Sequence, residues 1–197
     1  KNLQAYCIHD ILPNGCYQHP EAPSDMNNTE KPFLPVMLLC SLLLVSCNSS
    51  FSSGTIIAAP DKVCVTALEY AYEYLHHGTE YLWGGQDPLP RLLKVDCSGL
   101  VIRCYEYAAQ DYGYSLLFND TTSAGLTHYT VPLSQNELKP GDLIFMGDDH
   151  IVSHVALFIQ FRDSDIVFID STYKPAANIN GVSERSYPSD DPRFISY

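Results

Sequence analysis

The sequence predicts an α+β domain in which helices precede an antiparallel β-sheet. Apolar residues recur at helical spacing in the first part of residues 60–197, whereas β-branched and apolar runs separated by turn residues follow in the second part. Helices followed by strands with short connections are typical of α+β folds. No internal repeat is visible in the chain.

The composition indicates a single globular domain and argues against a nucleic-acid partner. The chain has 197 residues, of which 46% are hydrophobic and 17% are charged, so it is able to bury a core. Its formal net charge is −12. Binding to phosphates requires a field of lysines and arginines, and this chain has an excess of acids instead.

Residues 33–46 form the only long apolar block. The block is shorter than the roughly 20 residues of a transmembrane helix but fits the apolar core of a signal peptide. Lys31 precedes the block and small residues follow it. The end of the block, Leu44-Val45-Ser46-Cys47, resembles the lipobox of bacterial lipoproteins, which implies lipidation at Cys47.

This resemblance divides the first 59 residues into three segments. Residues 1–25 are expected to be an upstream extension that is not native, residues 26–46 a lipoprotein signal peptide that starts at Met26, and residues 47–59 a flexible polar tether. The alternative is a buried core helix over 33–46, with residues 1–25 as part of the fold.

The domain at 60–197 is expected to open with two helices. The first begins near Asp61, which is a good N-cap residue, and ends near His77-Gly78. The second runs from about Cys97 to Gln110 and is ended by Gly113.

Strands are expected after Pro140-Gly141, which is a turn signal. The apolar run at 142–146 is the first of them. Two further strands are predicted at Ile151–Phe161 and Ser164–Ser171, joined by a turn near Arg162-Asp163.

Cys97 is the candidate nucleophile because it stands at the predicted start of a helix. The partial positive charge and unpaired N–H groups of a helix N-terminus favour a thiolate over a thiol. A free cysteine is also often a small buried apolar residue, so this position alone does not establish a nucleophile. The chain has seven cysteines and no CxxC or HExxH motif, so zinc ribbons and other metal sites are not expected, and no cofactor is expected.

His154 is the candidate base. It lies on a predicted apolar strand, where alternation places it on one face with Val152, Ala156 and Phe158, so it needs a polar partner. Asp170 lies near the far end of the next strand and would come close to His154 in a hairpin. The competing interpretations are a core histidine bonded to a backbone carbonyl, and an aspartate that caps a strand in water.

Four motifs in order resemble the NlpC-type family of papain-like cell-wall peptidases. They are Tyr81-x-Trp83-Gly84-Gly85, Asp96-Cys97-Ser98-Gly99-Leu100-Val101, Pro140-Gly141-Asp142-Leu143-Ile144-Phe145 and His154-Val155-Ala156-Leu157. The resemblance covers about residues 62–197. It implies a papain-like α+β fold with the catalytic cysteine at a helix N-terminus.

The resemblance also implies roles for individual residues. Cys97 would be the nucleophile, His154 the base and Asp170 the third residue that orients the histidine. The third position is most often histidine in the family, so Asp170 is a departure. Tyr81 would lie near the substrate and the oxyanion. Asp96 and Ser98 would help to bind the free amino end of a peptide stem.

The resemblance implies a cysteine endopeptidase that hydrolyses peptide bonds in bacterial peptidoglycan stem peptides or cross-links. The alternatives are a non-catalytic peptidoglycan-binding domain of the same fold, and an amidase or acyltransferase that uses the same three residues. The expected partners are the peptide substrate and, through the lipid anchor, a membrane of the bacterial cell envelope. An accessory wall-binding or regulatory protein is left open.

Overall fold

A computed structural model describes residues 7–8, 11–13, 56–89 and 93–197, all within one compact unit. The α-helices in these ranges are α1 Asp61–His76, α2 Cys97–Asp111 and α3 Ser123–Leu126. The strands are β1 Cys7–Ile8, β2 Ile11–Pro13, β3 Glu80–Tyr81, β4 Lys94–Val95, β5 Tyr114–Leu116, β6 Thr130–Val131, β7 Leu143–Asp148, β8 Ile151–Arg162, β9 Asp165–Lys174, β10 Ile179–Pro188 and β11 Phe194–Ser196.

Of the 59 residues that precede the predicted domain, the described ranges include only 7–8, 11–13 and 56–59. The proposed signal peptide at 26–46, Cys47 and most of the tether lie outside the described residues, so these assignments stay predictions. None of the described helices combines the length and the hydropathy that spanning a membrane requires.

Both predicted helices are present, with a difference at the start of α1. Pro60 is the N-cap residue of α1, so Asp61 is not the cap but lies in the first turn, where its charge complements the helix dipole. The Asp61 carboxylate instead accepts a hydrogen bond from Lys139 Nζ at 2.9 Å. Helix α2 begins at Cys97, as predicted, and Gly113 with a φ of +74° follows its last turn.

The main sheet is five-stranded and antiparallel, with the strand order β10-β9-β8-β7-β11. The predicted hairpin is confirmed, since β8 pairs with β9 across a turn that contains Asp163. The α+β class is therefore confirmed. Strands β10 and β11, the two edges, were not predicted. Short two-stranded pairs, β1–β6, β2–β5 and the parallel β3–β4, complete the described strands.

Each face of the sheet carries its own apolar cluster. The cluster on the helix side joins α1 and α2 to the sheet, and its sheet residues include Leu143, Phe145, Val155, Leu157, Ile169 and Val182. The cluster on the other face is made of Leu138, Ile144, Met146, Ala156, Phe158, Ile166, Phe168, Phe194 and Tyr197. Both faces of the central strands are therefore buried.

A β-bulge next to His154 corrects one detail of the sequence prediction. Met146 pairs with His154 and Gly147 pairs with Val152, so Ser153 is an extra residue on β8. The extra residue breaks the alternation of side chains. Val152 consequently packs against the helix-side cluster, whereas Ala156 belongs to the other one.

Candidate active site

Cys97 is the first residue of α2 and is 8% exposed. The preceding Asp96 has an extended backbone and caps the helix, because its Oδ1 accepts hydrogen bonds from Gly99 N at 2.7 Å and from Ser98 Oγ at 3.0 Å. The cap fixes the direction in which the helix starts. It thereby fixes the position of the thiol at the positive end of the helix dipole.

A tight loop at Gly84-Gly85 is docked against the start of α2. The second carboxylate oxygen of Asp96 accepts a hydrogen bond from Gly84 N at 2.8 Å, and Asp96 N donates to Gly85 O at 3.0 Å. Gly84 has a φ of +71°, which favours glycine. A Cβ at Gly99 would lie 2.1 Å from Gly85 O, so the glycines of the two motifs allow one close backbone approach.

His154 and Asp170 lie together, as the hairpin predicts. His154 Nε2 is 2.5 Å from Asp170 Oδ2. The Asp170 side chain is fully buried, and that of His154 is 21% exposed. Because Nε2 is held by the carboxylate, Nδ1 is the ring nitrogen left for the thiol of Cys97.

The Cys97–His154 pair favours a thiolate and an imidazolium. Burial alone would raise the pKa of Cys97, but hydrogen bonding and charge interaction with His154, and a hydrogen bond with Ser123, hold that pKa below its usual value of 9.0. Burial alone would lower the pKa of His154, but the bonds with Asp170 and Cys97 raise it from 6.5 to about 9. At neutral pH the proton shared by this pair therefore resides on the imidazole, and the sulfur is a thiolate.

Ser123 is a site residue that the sequence analysis missed. Its Oγ lies 3.2 Å from Cys97 Sγ, and the residue as a whole is 6% exposed. Thr122 caps the short helix α3 by accepting from Gly125 N at 3.1 Å, and this cap holds Ser123 over the thiol. The serine is 26 residues from Cys97, so no local pattern pointed to it.

Arg185 on β10 is the second residue that was missed. Its Nε donates to Asp170 Oδ1 at 2.9 Å, and its Nη2 donates to Asp170 Oδ2. The Arg185 side chain is 9% exposed. Burial alone would raise the pKa of Asp170, but His154 and Arg185 together hold that pKa below its usual value of 3.8. A buried acid on an apolar strand requires such a partner, which is the signal that could have led to an arginine.

An open cleft of about 660 Å³ runs along Cys97 and His154. Its wall includes the remaining predicted residues, Tyr81, Asp96 and Ser98. Burial, and then the charges of Cys97 and Asp96, raise the pKa of Tyr81. Both oxygens of the Asp96 carboxylate already accept hydrogen bonds from the chain itself, so Asp96 shapes the cleft as well as facing it.

The wall of the cleft also carries an exposed aromatic residue. Trp83, from the same loop as Gly84, is 85% exposed. An exposed indole at the rim of a cleft offers apolar area for a ligand. Within the described residues, no group of three or more His, Cys, Asp or Glu side chains is arranged to hold a metal ion.

The chain matches a known protein family and several known proteins. A model of the NlpC/P60 family matches residues 78–188, a span that contains Cys97, His154 and Asp170. The chain is similar to the probable endopeptidase p60 of Listeria innocua and of Listeria monocytogenes, with 33% identity over 84 residues in each case. These alignments cover 43% of this chain and 16% and 15% of the two relatives.

A third relative gives the same result. The probable endopeptidase p60 of Listeria grayi is 30% identical over 90 residues, which are 46% of this chain and 16% of that protein. The chain thus aligns with about a sixth of the length of these relatives. The mixture of helices and antiparallel sheet is consistent with a papain-like α+β fold.

Proposed function

The chain belongs to the NlpC/P60 family, and we propose that it is a cysteine endopeptidase that cleaves peptide bonds in bacterial peptidoglycan stem peptides or cross-links. The family and the p60 relatives support a cell-wall peptidase at family level. The cysteine mechanism and the substrate are our proposal.

The observation that carries the proposal is the chain of contacts from Cys97 through His154 to Asp170. The cysteine thiol interacts with the imidazole, and the imidazole is bound by a buried carboxylate at 2.5 Å. Nucleophile, base and orienting group in this order are what acyl transfer through a thioester requires.

The first half of the reaction forms a thioester. The thiolate of Cys97 attacks the carbonyl carbon of the peptide bond, and the carbonyl oxygen becomes an oxyanion. The backbone N–H of Cys97, at the first position of α2, is not used by the helix and is suited to donate to that oxygen. The His154 imidazolium then gives its proton to the leaving amine, and the C–N bond breaks.

The second half releases the acyl group. His154, now neutral, takes a proton from a water molecule, and the resulting hydroxide attacks the thioester carbon. The carbon–sulfur bond breaks, and Cys97 leaves as the thiolate beside the re-formed imidazolium. Asp170 stays ionised throughout, because Arg185 and His154 both stabilise its charge.

Two other functions use the same fold. A non-catalytic peptidoglycan-binding domain would not need a lowered cysteine pKa or a histidine held by a buried acid, so the geometry favours an enzyme. An amidase or acyltransferase would use the same three residues on another acyl donor. The difference between these enzymes lies in the bond that is cut.

Digestion of purified peptidoglycan tests the proposal. The protein is incubated with cross-linked muropeptides, and the products are identified by mass spectrometry. We expect fragments cut between two amino acids, and none with the Cys97→Ala protein. A cut between glycan and peptide would indicate an amidase instead. An absence of new fragments from a folded protein whose Cys97 reacts with iodoacetamide would refute the peptidase.

We also propose that the protein is anchored by a lipid at Cys47 to a membrane of the cell envelope. The support is the order of Lys31, the apolar block at 33–46 and the lipobox-like end of that block. Metabolic labelling with a fatty acid in a bacterial host tests this proposal. Loss of the label in a Cys47→Ala variant is expected, whereas a variant that keeps the label would overturn the assignment.

A further inference from the structure

A second cavity, of about 290 Å³, adjoins the cleft along β8. Ser153, His154 and Thr172 line both of them, so the two spaces meet at the histidine. The other residues that line the second cavity are Met146, Gly147, Asp148, Lys174, Arg185, Tyr187 and Arg193. We call it the cationic cavity, after Lys174, Arg185 and Arg193.

Three cations converge on Tyr187 in this cavity. Lys174 Nζ donates to the Tyr187 hydroxyl at 2.8 Å, and Arg185 Nη1 donates to the same oxygen. The guanidinium of Arg193 stacks on the Tyr187 ring, 3.6 Å from its centroid. This grouping is unusual for a chain that has 11 lysines and arginines against 23 acids.

The hydroxyl of Tyr187 is oriented to donate. Its oxygen accepts hydrogen bonds from two cations, so its own proton is directed away from both of them and is available to a further acceptor. Burial raises the pKa of Tyr187, but Lys174, Arg185 and Arg193 outweigh burial and hold it below its usual value of 10.0. The local potential is therefore positive.

Two of the acidic side chains near the cavity each bind an arginine, and a third lines the cavity. Asp170 binds Arg185, and Asp191 binds Arg193 with contacts of 2.6 and 2.8 Å. The Lys174 ammonium donates to the hydroxyl of Tyr187, and its charge also helps to hold the pKa of Asp191 below its usual value. Asp148 is the acid that lines the cavity, and its side chain is exposed. An ammonium and a hydroxyl proton thus converge where an anion would be bound.

The reaction geometry indicates which part of a substrate reaches this cavity. His154 gives its proton to the leaving amine, so the leaving half of the peptide passes along the histidine. The cationic cavity shares His154 with the cleft, whereas Asp96 and Ser98 line the cleft and not this cavity. We propose that the cationic cavity binds a carboxylate in the leaving half of the peptide substrate. This inference rests on the proposed peptidase function and adds to it a preference for substrates whose leaving half carries a carboxylate.

Two synthetic stem peptides test the inference. They have the same sequence, and the leaving half ends in a free carboxylate in one and in a carboxamide in the other. Binding to the Cys97→Ala protein is measured by calorimetry, and kcat/KM is measured with the wild type. We expect the free acid to be preferred by about tenfold in both measurements, as one charge-assisted contact provides.

Three variants assign the preference to the cavity. Lys174→Met should reduce the preference for the free acid to about onefold to threefold. Asp148→Asn should increase it, because the variant removes the acid that lines the cavity. Lys62→Met is the matched control, since Lys62 lies on α1 over the Tyr112 ring, and its preference should equal that of the wild type.

The outcomes separate the two proposals. Equal binding of the acid and the amide by the Cys97→Ala protein would overturn the cationic cavity as a carboxylate site. A preference that survives Lys174→Met would overturn it as well. Preferential binding of the acid, with no cleavage of either peptide or of cross-linked muropeptides, would keep the cavity and refute the peptidase.

Discussion

Replacing Asp170 with asparagine should move the alkaline limit of activity to lower pH. The substitution keeps the shape of the side chain and removes its charge beside His154. The pKa of His154 is raised from 6.5 to about 9 by Asp170 and Cys97 against the effect of burial. This difference corresponds to about 3 kcal/mol of preference for the imidazolium.

The expected change in the pKa of His154 follows from the contacts that the histidine loses and keeps in the variant. A carboxylate in direct contact moves the pKa of a neighbour by about 1–3. Cys97 remains in the variant and still favours the imidazolium, so we expect the pKa of His154 to fall by about 1–2. Arg185 adds to this effect, because it loses its partner in Asp170→Asn and its charge then opposes the imidazolium.

The pKa of His154 determines the direction in which the pH profile changes. A raised histidine pKa means that the imidazolium is lost only as the pH rises through about 9. The alkaline limb of kcat/KM, which reports the free enzyme, should therefore lie near pH 9 in the wild type and about 1–2 lower in Asp170→Asn. Near pH 8, between the two alkaline limits, the thiol of Asp170→Asn faces a neutral imidazole that no longer lowers its pKa, so less thiolate should be present there than in the wild type.

Two measurements check this prediction. The pH profile of peptide cleavage gives the alkaline limb. The rate at which iodoacetamide alkylates Cys97, followed by peptide mass spectrometry, gives the thiolate fraction. Asp163→Asn is the matched control, since Asp163 is exposed in the β8–β9 turn with a φ of +54° that asparagine tolerates. An alkaline limb that stays near pH 9 in a folded Asp170→Asn protein would refute the role of the carboxylate.

Two further predictions concern stability. Arg185→Met should lower the free energy of unfolding in urea by about 3–5 kcal/mol, because it removes the permanent cation that compensates the buried Asp170. The double variant with Asp170→Asn should recover most of that loss, and additive losses would contradict the pairing. Gly99→Ala should lower the free energy of unfolding in urea by about 1–3 kcal/mol, because its Cβ would meet Gly85 O at 2.1 Å. Gln110→Ala, at an exposed position of the same helix, is the control. Equal losses in the two variants would contradict the close approach.

The part of the site that the sequence predicts is the part encoded by local pattern. An aspartate before a cysteine and an apolar helical run predicts a capped helix start, and α2 begins at Cys97. Two β-branched runs joined by a short turn predict a hairpin, and its register brings Asp170 to His154. Each of these inferences needs only the spacing within one or two elements.

The residues that were missed depend on the path of the chain between elements. Ser123 reaches Cys97 from a four-residue helix whose position is set by its packing. Strand β10 has four consecutive polar residues, Ser183-Glu184-Arg185-Ser186, and lies at the edge of the sheet, so it lacks the apolar run that identified β8 and β9. For this reason no sequence motif predicted Arg185.

Asp170 and Arg185 are nevertheless linked by a physical requirement. A fully buried carboxylate is costly unless a cation compensates it, and His154 supplies a full charge only while it is protonated. During acyl transfer His154 gives up its proton, and at that moment Asp170 would be a buried anion without a cation. Arg185 is charged at every step, so it keeps Asp170 ionised while the imidazole cycles. The aspartate at the third position is thus paired with a permanent cation on the neighbouring strand β10.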